Sequence, residues 1–156
     1  MTESAPHVSA QNGRVTGARA VRVIGTLVLV IGVVMILAGA ATWLTVRDQL
    51  ADERIVVAED ASFFAGDRVQ GPLTAYAQAD VIREHAGKVA DGRTYAQLDR
   101  EDPRRQTMMT ASFLRASLFT SVVAFGVAAM AVGIGVALVL LGVALVRTAR
   151  VVALPG

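Results

Sequence analysis

The stretch that most restricts this chain is LFTSVVAFGVAAMAVGIGVALVLLGVALV, Leu118–Val146, which has no charge and no Pro and lies between Arg115 and Arg147. At about 1.5 Å per residue, a helix of this length crosses a hydrocarbon core of about 30 Å. A second run, Val23–Val46, stands near the other end, and every residue between Arg22 and Arg47 is uncharged. A soluble chain of 156 residues does not gather its apolar residues into two such runs. Two membrane-spanning helices are therefore expected.

Charge placement orients them. The tails carry five basic residues (Arg14, Arg19, Arg22, Arg147 and Arg150) against one acidic residue, Glu3, whereas residues 47–117 carry ten basic and twelve acidic residues. Arginines flanking the spans on both tails place both termini in the cytoplasm and the central segment outside a bacterial cytoplasmic membrane. The expected divisions are a disordered cytoplasmic tail (1–20), a first span (21–46), an extracytoplasmic helical segment (47–117), a second span (118–146) and a cytoplasmic tail (147–156). Ala38-Gly39-Ala40 has the small residues of a signal-peptide cleavage site. The apolar run continues beyond it to Val46, so an uncleaved anchor is expected.

Small residues recur along both spans. Gly25, Gly32 and Gly39 are seven apart, as are Gly126 and Gly133, and then Gly135 and Gly142; Ala129, Gly133 and Ala137 add a small-xxx-small face. A sevenfold repeat keeps small side chains on one seam and lets two helix backbones approach closely. All seven glycines are candidate helix-packing positions, for a hairpin within the chain, for a second copy or for a partner helix.

In the central segment, Asp48–Arg54 should continue the first helix. Pro72–His85 reads as a helix with Pro in its first turn, Gly87 as its cap, and Leu73, Tyr76, Ala77 and Val81 facing inward. Thr94–Arg100 reads as another short helix. Asp102-Pro103 is the strongest helix start in the chain, opening a helix expected to run to Arg147. The expected fold is an all-α membrane protein: two transmembrane helices extended as stalks, with a small helical extracytoplasmic cap.

Sites for chemistry are scarce. With no Cys there is no disulfide, thiolate nucleophile or Cys-held metal. The two histidines, His7 and His85, fall on opposite sides of the membrane in this topology, so no site with several imidazoles is expected. His85 with Asp80, Glu84 and Asp91 reads as a polar helix end, with a weak metal site as the alternative. No Ser or Thr stands in a nucleophile motif, and neither span contains an ionisable residue that would relay protons. A net charge of +2 without a basic–aromatic stripe gives no reason to expect nucleic acid. No catalytic residue, metal or cofactor is assigned. Phe63 and Phe64, adjacent in a Gly-flanked loop, are expected to form a local core, with a membrane-surface wedge or a partner contact as the alternative. The charged cluster Asp99–Arg105 reads most simply as a solvated helix start, with Arg104 and Arg105 as candidate partner contacts. An ion pair is expected between Arg115 and Asp48 or Asp52.

Three segments, TWLTVRDQLADERIVVAEDASFFAG, VQGPLTAYAQADVIREH and TYAQLDREDPRRQTMMTASFLRASLFTSVVAFGVAAM, resemble a family of small actinobacterial two-span membrane proteins. The resemblance covers about residues 42–130. Members are often labelled aromatic ring-opening dioxygenase, an activity that needs iron held by His and carboxylate ligands; this chain does not supply that set. The expected function is non-enzymatic: an accessory or structural subunit of a cell-envelope assembly, with membrane lipid and another envelope protein or a second copy as partners. The first alternative is a lipid-handling accessory holding an acyl chain between the stalks, and the second is a ring-opening dioxygenase as in the family label.

Overall fold

A computed structural model describes residues 7–152, with side chains described for residues 17–151. The fold is all-α. Three helices follow one another: α1 (His7–Asp52), α2 (Pro72–Val89) and α3 (Arg104–Val152), with one 3-10 turn at Tyr95–Gln97 before α3. α1 and α3 are each long and apolar enough to cross a membrane. The chain divides into two compact units, one made of Met1–Gly39 with Met130–Gly156 and the other of Ala40–Ala129.

The tail expected over residues 1–20 is helical from His7 onward. A helix already nucleated in the apolar run extends cheaply by one hydrogen bond per residue, and nothing after Pro6 breaks it. Residues 1–6 lie outside the described residues, as do residues 153–156 of the expected C-terminal tail.

In the first unit, α1 and α3 run antiparallel on a glycine seam. A Cβ built on Gly32 would stand 2.7 Å from the carbonyl oxygen of Gly135, and one on Gly135 would stand 2.7 Å from that of Gly32. Gly142 opposes Gly25 in the same way, at 2.7 Å from its carbonyl oxygen. Ala18 and Ala149, each one heptad further along, are also buried. Leu29, Ile36, Val139 and Leu145 pack beside the glycines, whereas Val23, Leu27, Ile31, Val34, Leu37 and Leu140 face outward and are all at least half exposed.

The second unit is built around side chains. Phe125 is 1% exposed and meets Trp43 edge-on, with ring centroids 4.6 Å apart. Leu50, Leu118, Val57, Val69, Ala75, Ala77 and Ala79 complete this core. The chain between α1 and α2 folds back as a hairpin, tied by the Val56–Arg68 bridge and by bonds from Val57 N–H to Asp67 O and from Val69 N–H to Ile55 O, each 2.9 Å. Ala58 N–H then donates to Gln78 Oε1 at 3.0 Å, fastening the hairpin to α2. A smaller cluster of Ala86, Ala90, Leu98 and Met108 packs the far end of α2.

α2 starts where Pro72 suggests. Thr74 Oγ1 accepts from the backbone N–H groups of Gln70 and Gly71, each at 3.2 Å, satisfying donors that the first turn leaves unpaired. Its end differs from expectation. The helix passes over Gly87 to Val89 and stops where Asp91 and Gly92 enter the left-handed region, with φ of 52° and 75°. Gly92 N–H bonds back to Gly87 O at 2.8 Å, so Gly87 supplies the accepting carbonyl and not the cap. The inward face also differs. Ala75, Ala77, Ala79, Val81 and Ala86 are buried, whereas Leu73 and Tyr76 are exposed. The helix lies close to its neighbours on alanines, and that closeness leaves no room for the larger residues. Thr94–Arg100 forms only the 3-10 turn, with Leu98 buried beyond it.

Candidate functional site

The seven glycines separate into two groups. Gly25, Gly32, Gly135 and Gly142 form the seam, and Gly39 is buried. Gly126 and Gly133, although spaced identically, would meet nothing within 4 Å if given a Cβ. Gly133 and Gly135 are two residues apart, about 200° around the helix, so they cannot share a face. Spacing alone made both series candidates; which one is used depends on the face turned to α1.

Arg104 and Arg105, expected to meet a partner, are turned onto the chain itself. Arg104 spans the gap from α2 to α3, with Nη1 donating to Asp91 Oδ2 at 2.7 Å and Nη2 to Asp102 Oδ2 at 2.8 Å. Asp102 Oδ1 accepts from the Arg104 backbone N–H at 2.9 Å, capping α3 as its Asp-Pro start implies. These bonds to Arg104 hold the Asp102 carboxyl at about 2 and raise the guanidinium further above its usual range. Arg105 donates to Leu98 O at 2.7 Å and stacks 4.0 Å above the Tyr95 ring. Both side chains hold the turn between α2 and α3 in place.

The Arg115 ion pair is not formed. Val46 and Leu50, one turn apart, face the core. Asp48 and Asp52 each follow one of them by two residues, about 200° around the helix, and both are exposed. Arg115 instead lies with its guanidinium carbon 6.0 Å from the Phe119 ring centroid, and its Nε is buried without a hydrogen-bond partner.

His85 pairs with Asp60 of the hairpin, Nε2 to Oδ2 at 2.6 Å, and not with Asp80, Glu84 or Asp91. That bond lowers the Asp60 carboxyl below its ordinary value. Asp80 pairs with Arg83, and Glu84 with Lys88, each at 2.7 Å. Among the described residues, no three of His, Asp and Glu gather as a metal-binding set.

Phe63 and Phe64 do not form the local core expected first; both lie on the surface. Phe63 is 73% exposed, and Phe64 holds a left-handed φ of 60°. They line an open groove of about 360 Å³ with Leu73, Tyr76, Ala77 and Val81. Tyr76 meets Phe119 edge-on at 5.8 Å. This aromatic group was not anticipated; the usable signal was a helix with two large apolar residues, Leu73 and Tyr76, opposite a face of alanines. A second open groove, of about 370 Å³, runs between α2 and α3 over Ile82, Val89, Thr110 and Leu114.

No protein-family model, curated protein or solved structure matches this chain.

Proposed function

We propose that the chain is an integral membrane protein, anchored by α1 and α3 in a bacterial cytoplasmic membrane, and that it serves as a non-enzymatic accessory or structural subunit of an envelope assembly. The observation that carries this reading is the inverted packing of the first unit. Glycines mark the closest approach of the helices, with Leu29, Ile36, Val139 and Leu145 packed beside them, and Val23, Leu27, Ile31, Val34, Leu37 and Leu140 point outward. In water such a surface is an aggregation site, whereas in lipid it is the favourable arrangement, because packing and not hydrophobic burial joins the helices. A seam this tight leaves no passage between the spans, so they act as an anchor and not as a conduit. Gly126 and Gly133 on α3 remain open, a place where another helix of similar build can approach closely.

The Cys-free sequence makes topology directly measurable. Single cysteines at Lys88 and Arg150 are treated with a membrane-impermeant maleimide in intact cells. Labelling at 88 alone, with 150 reacting only after permeabilisation, is the expected result; release of the protein by alkaline carbonate overturns the membrane reading. The accessory role is tested by gentle detergent extraction from native membranes and native mass measurement. A stoichiometric envelope partner lost on Gly133→Leu is expected; a lone monomer overturns the role. A homo-oligomer carrying bound lipid moves the assignment to the lipid-handling alternative.

A further inference from the structure

We propose that the unit Ala40–Ala129 carries a lipid-headgroup site, in which Phe63, Leu73, Tyr76 and Phe119 form an apolar collar set into the outer interface of the bilayer and Arg115 binds a phospholipid phosphate. The proposal rests on the membrane reading above.

Three observations place the collar. Phe119 lies inside the charge-free run of α3, four residues past Arg115, the last charged residue before Arg147. The Tyr76 ring meets Phe119 at 5.8 Å, so α2 reaches the level at which the apolar run begins. Leu73 stands one turn before Tyr76, and both line one groove with Phe63 and Phe64. The exposed apolar surface of this unit thus reaches the start of the charge-free run at Phe119. Aromatic residues are favoured at this depth, where a ring is apolar on one side and meets headgroups on the other. Phe63 and Leu73 are 73% and 66% exposed, which costs free energy in water and none at the interface.

Arg115 supplies an independent reason. Its guanidinium makes no hydrogen bond or ion pair among the described residues, although it lies beside a ring of the collar. A cation with idle donors at the edge of an apolar run reaches for the nearest anion, and in a bilayer that is the lipid phosphate. The groove rim does not oppose an anion. Asp60, Asp80 and Glu84 each have a basic partner, in His85, Arg83 and Lys88.

The test exploits the single tryptophan. In a Trp43→Phe background, Phe63→Trp is compared with Val30→Trp on the outward face of α1 and Lys88→Trp on the exposed end of α2. Each protein is reconstituted in vesicles of phosphatidylethanolamine and phosphatidylglycerol containing lipids spin-labelled at the headgroup or along the chain. The expected result is that Phe63→Trp emission shifts to the blue and loses most of its intensity to headgroup and shallow labels. Val30→Trp should be quenched by deep labels and Lys88→Trp by neither. If position 30 is quenched while position 63 behaves like position 88, the collar is overturned and the membrane reading stands. If neither 30 nor 63 is quenched, the membrane reading fails and takes the collar with it. Shielding of position 63 from aqueous iodide without lipid quenching overturns the proposal in favour of a protein contact. For the phosphate, native mass spectrometry counts retained phosphatidylglycerol. Arg115→Gln should lower retention about fivefold, the factor equivalent to about 1 kcal/mol for one arginine at an anionic surface, and Arg115→Lys should restore most of it. Equal retention in all three proteins overturns this half of the proposal.

Discussion

The two units of this molecule are held together by opposite means. Between Gly25 and Gly142, and between Gly32 and Gly135, the contact exists because side chains are missing, and backbone meets backbone. In Ala40–Ala129 the contact exists because side chains are present: Phe125 against Trp43, Leu50 and Leu118 beside them, and a hairpin fastened by Gln78. One unit should fail when atoms are added and the other when atoms are removed. Glycine spacing is therefore a guide to structure only in the first.

Removing the most buried large side chain should have the largest effect. Phe125→Ala is expected to cost about 3–5 kcal/mol, read as a lowered unfolding midpoint in detergent together with a red shift of Trp43 emission. An unshifted Trp43 would mean that the second unit is not built around that pair. Adding one methyl to the seam comes next. Gly142→Ala places a Cβ 2.7 Å from Gly25 O and Leu29 Cβ, and should cost about 1–3 kcal/mol. Gly133→Ala is the matched control nine residues away. It meets nothing, and should be neutral or gain up to about 1 kcal/mol in helix propensity. Equal effects at 133 and 142 would break the comparison.

Acid should act on the second unit alone. Asp102 has a folded-state value of about 2 against an ordinary 3.8, so its bonds stabilise the start of α3 fully above about pH 4 and are lost as pH falls through about 2. Asp102→Asn should flatten that part of the acid-unfolding curve; an unchanged curve would remove the carboxyl from the account. The smallest effect is expected from reversing charges. Because Arg115 and Asp48 do not meet, the double mutant Arg115→Glu, Asp48→Arg should show no coupling beyond the sum of its single mutants. A measurable rescue would bring back the ion pair.

These contrasts also mark what the sequence made legible. Both long helices follow from charge-free runs, and the start of α3 follows from Asp102-Pro103, because length and capping are local physics. The seam was half legible. Sevenfold glycines announced a close approach, but the face of α3 that makes it depends on a helix more than a hundred residues away in the chain. Leu73 and Tyr76 were assigned to the wrong side of α2 by a rule that holds for helices bathed in water. Where alanines form the contact, large apolar residues are displaced outward, and hydrophobicity ceases to indicate the interior. Arg115 was paired by assumed depth, but helix phase governs: two residues past a core position lies the opposite face. Phe63 and Phe64 read first as a local core and are exposed instead, since a Gly-flanked loop offers little to bury them. Their connection to Phe119 through Tyr76 is tertiary and left no local trace.

The glycine seam has a mechanical consequence. Each helix carries two notches, seven residues apart, and each notch receives the opposing backbone at Gly25 with Gly142 and at Gly32 with Gly135. Sliding one rod along the other by a residue drives a Cβ into a carbonyl at both notches together. Rolling the rods apart withdraws the side chains of Leu29, Ile36, Val139 and Leu145, which sit against these notches. The pair therefore resists shear most strongly, because one residue of sliding brings backbone and side chain into collision at both notches at once, as a key meets the wards of a lock.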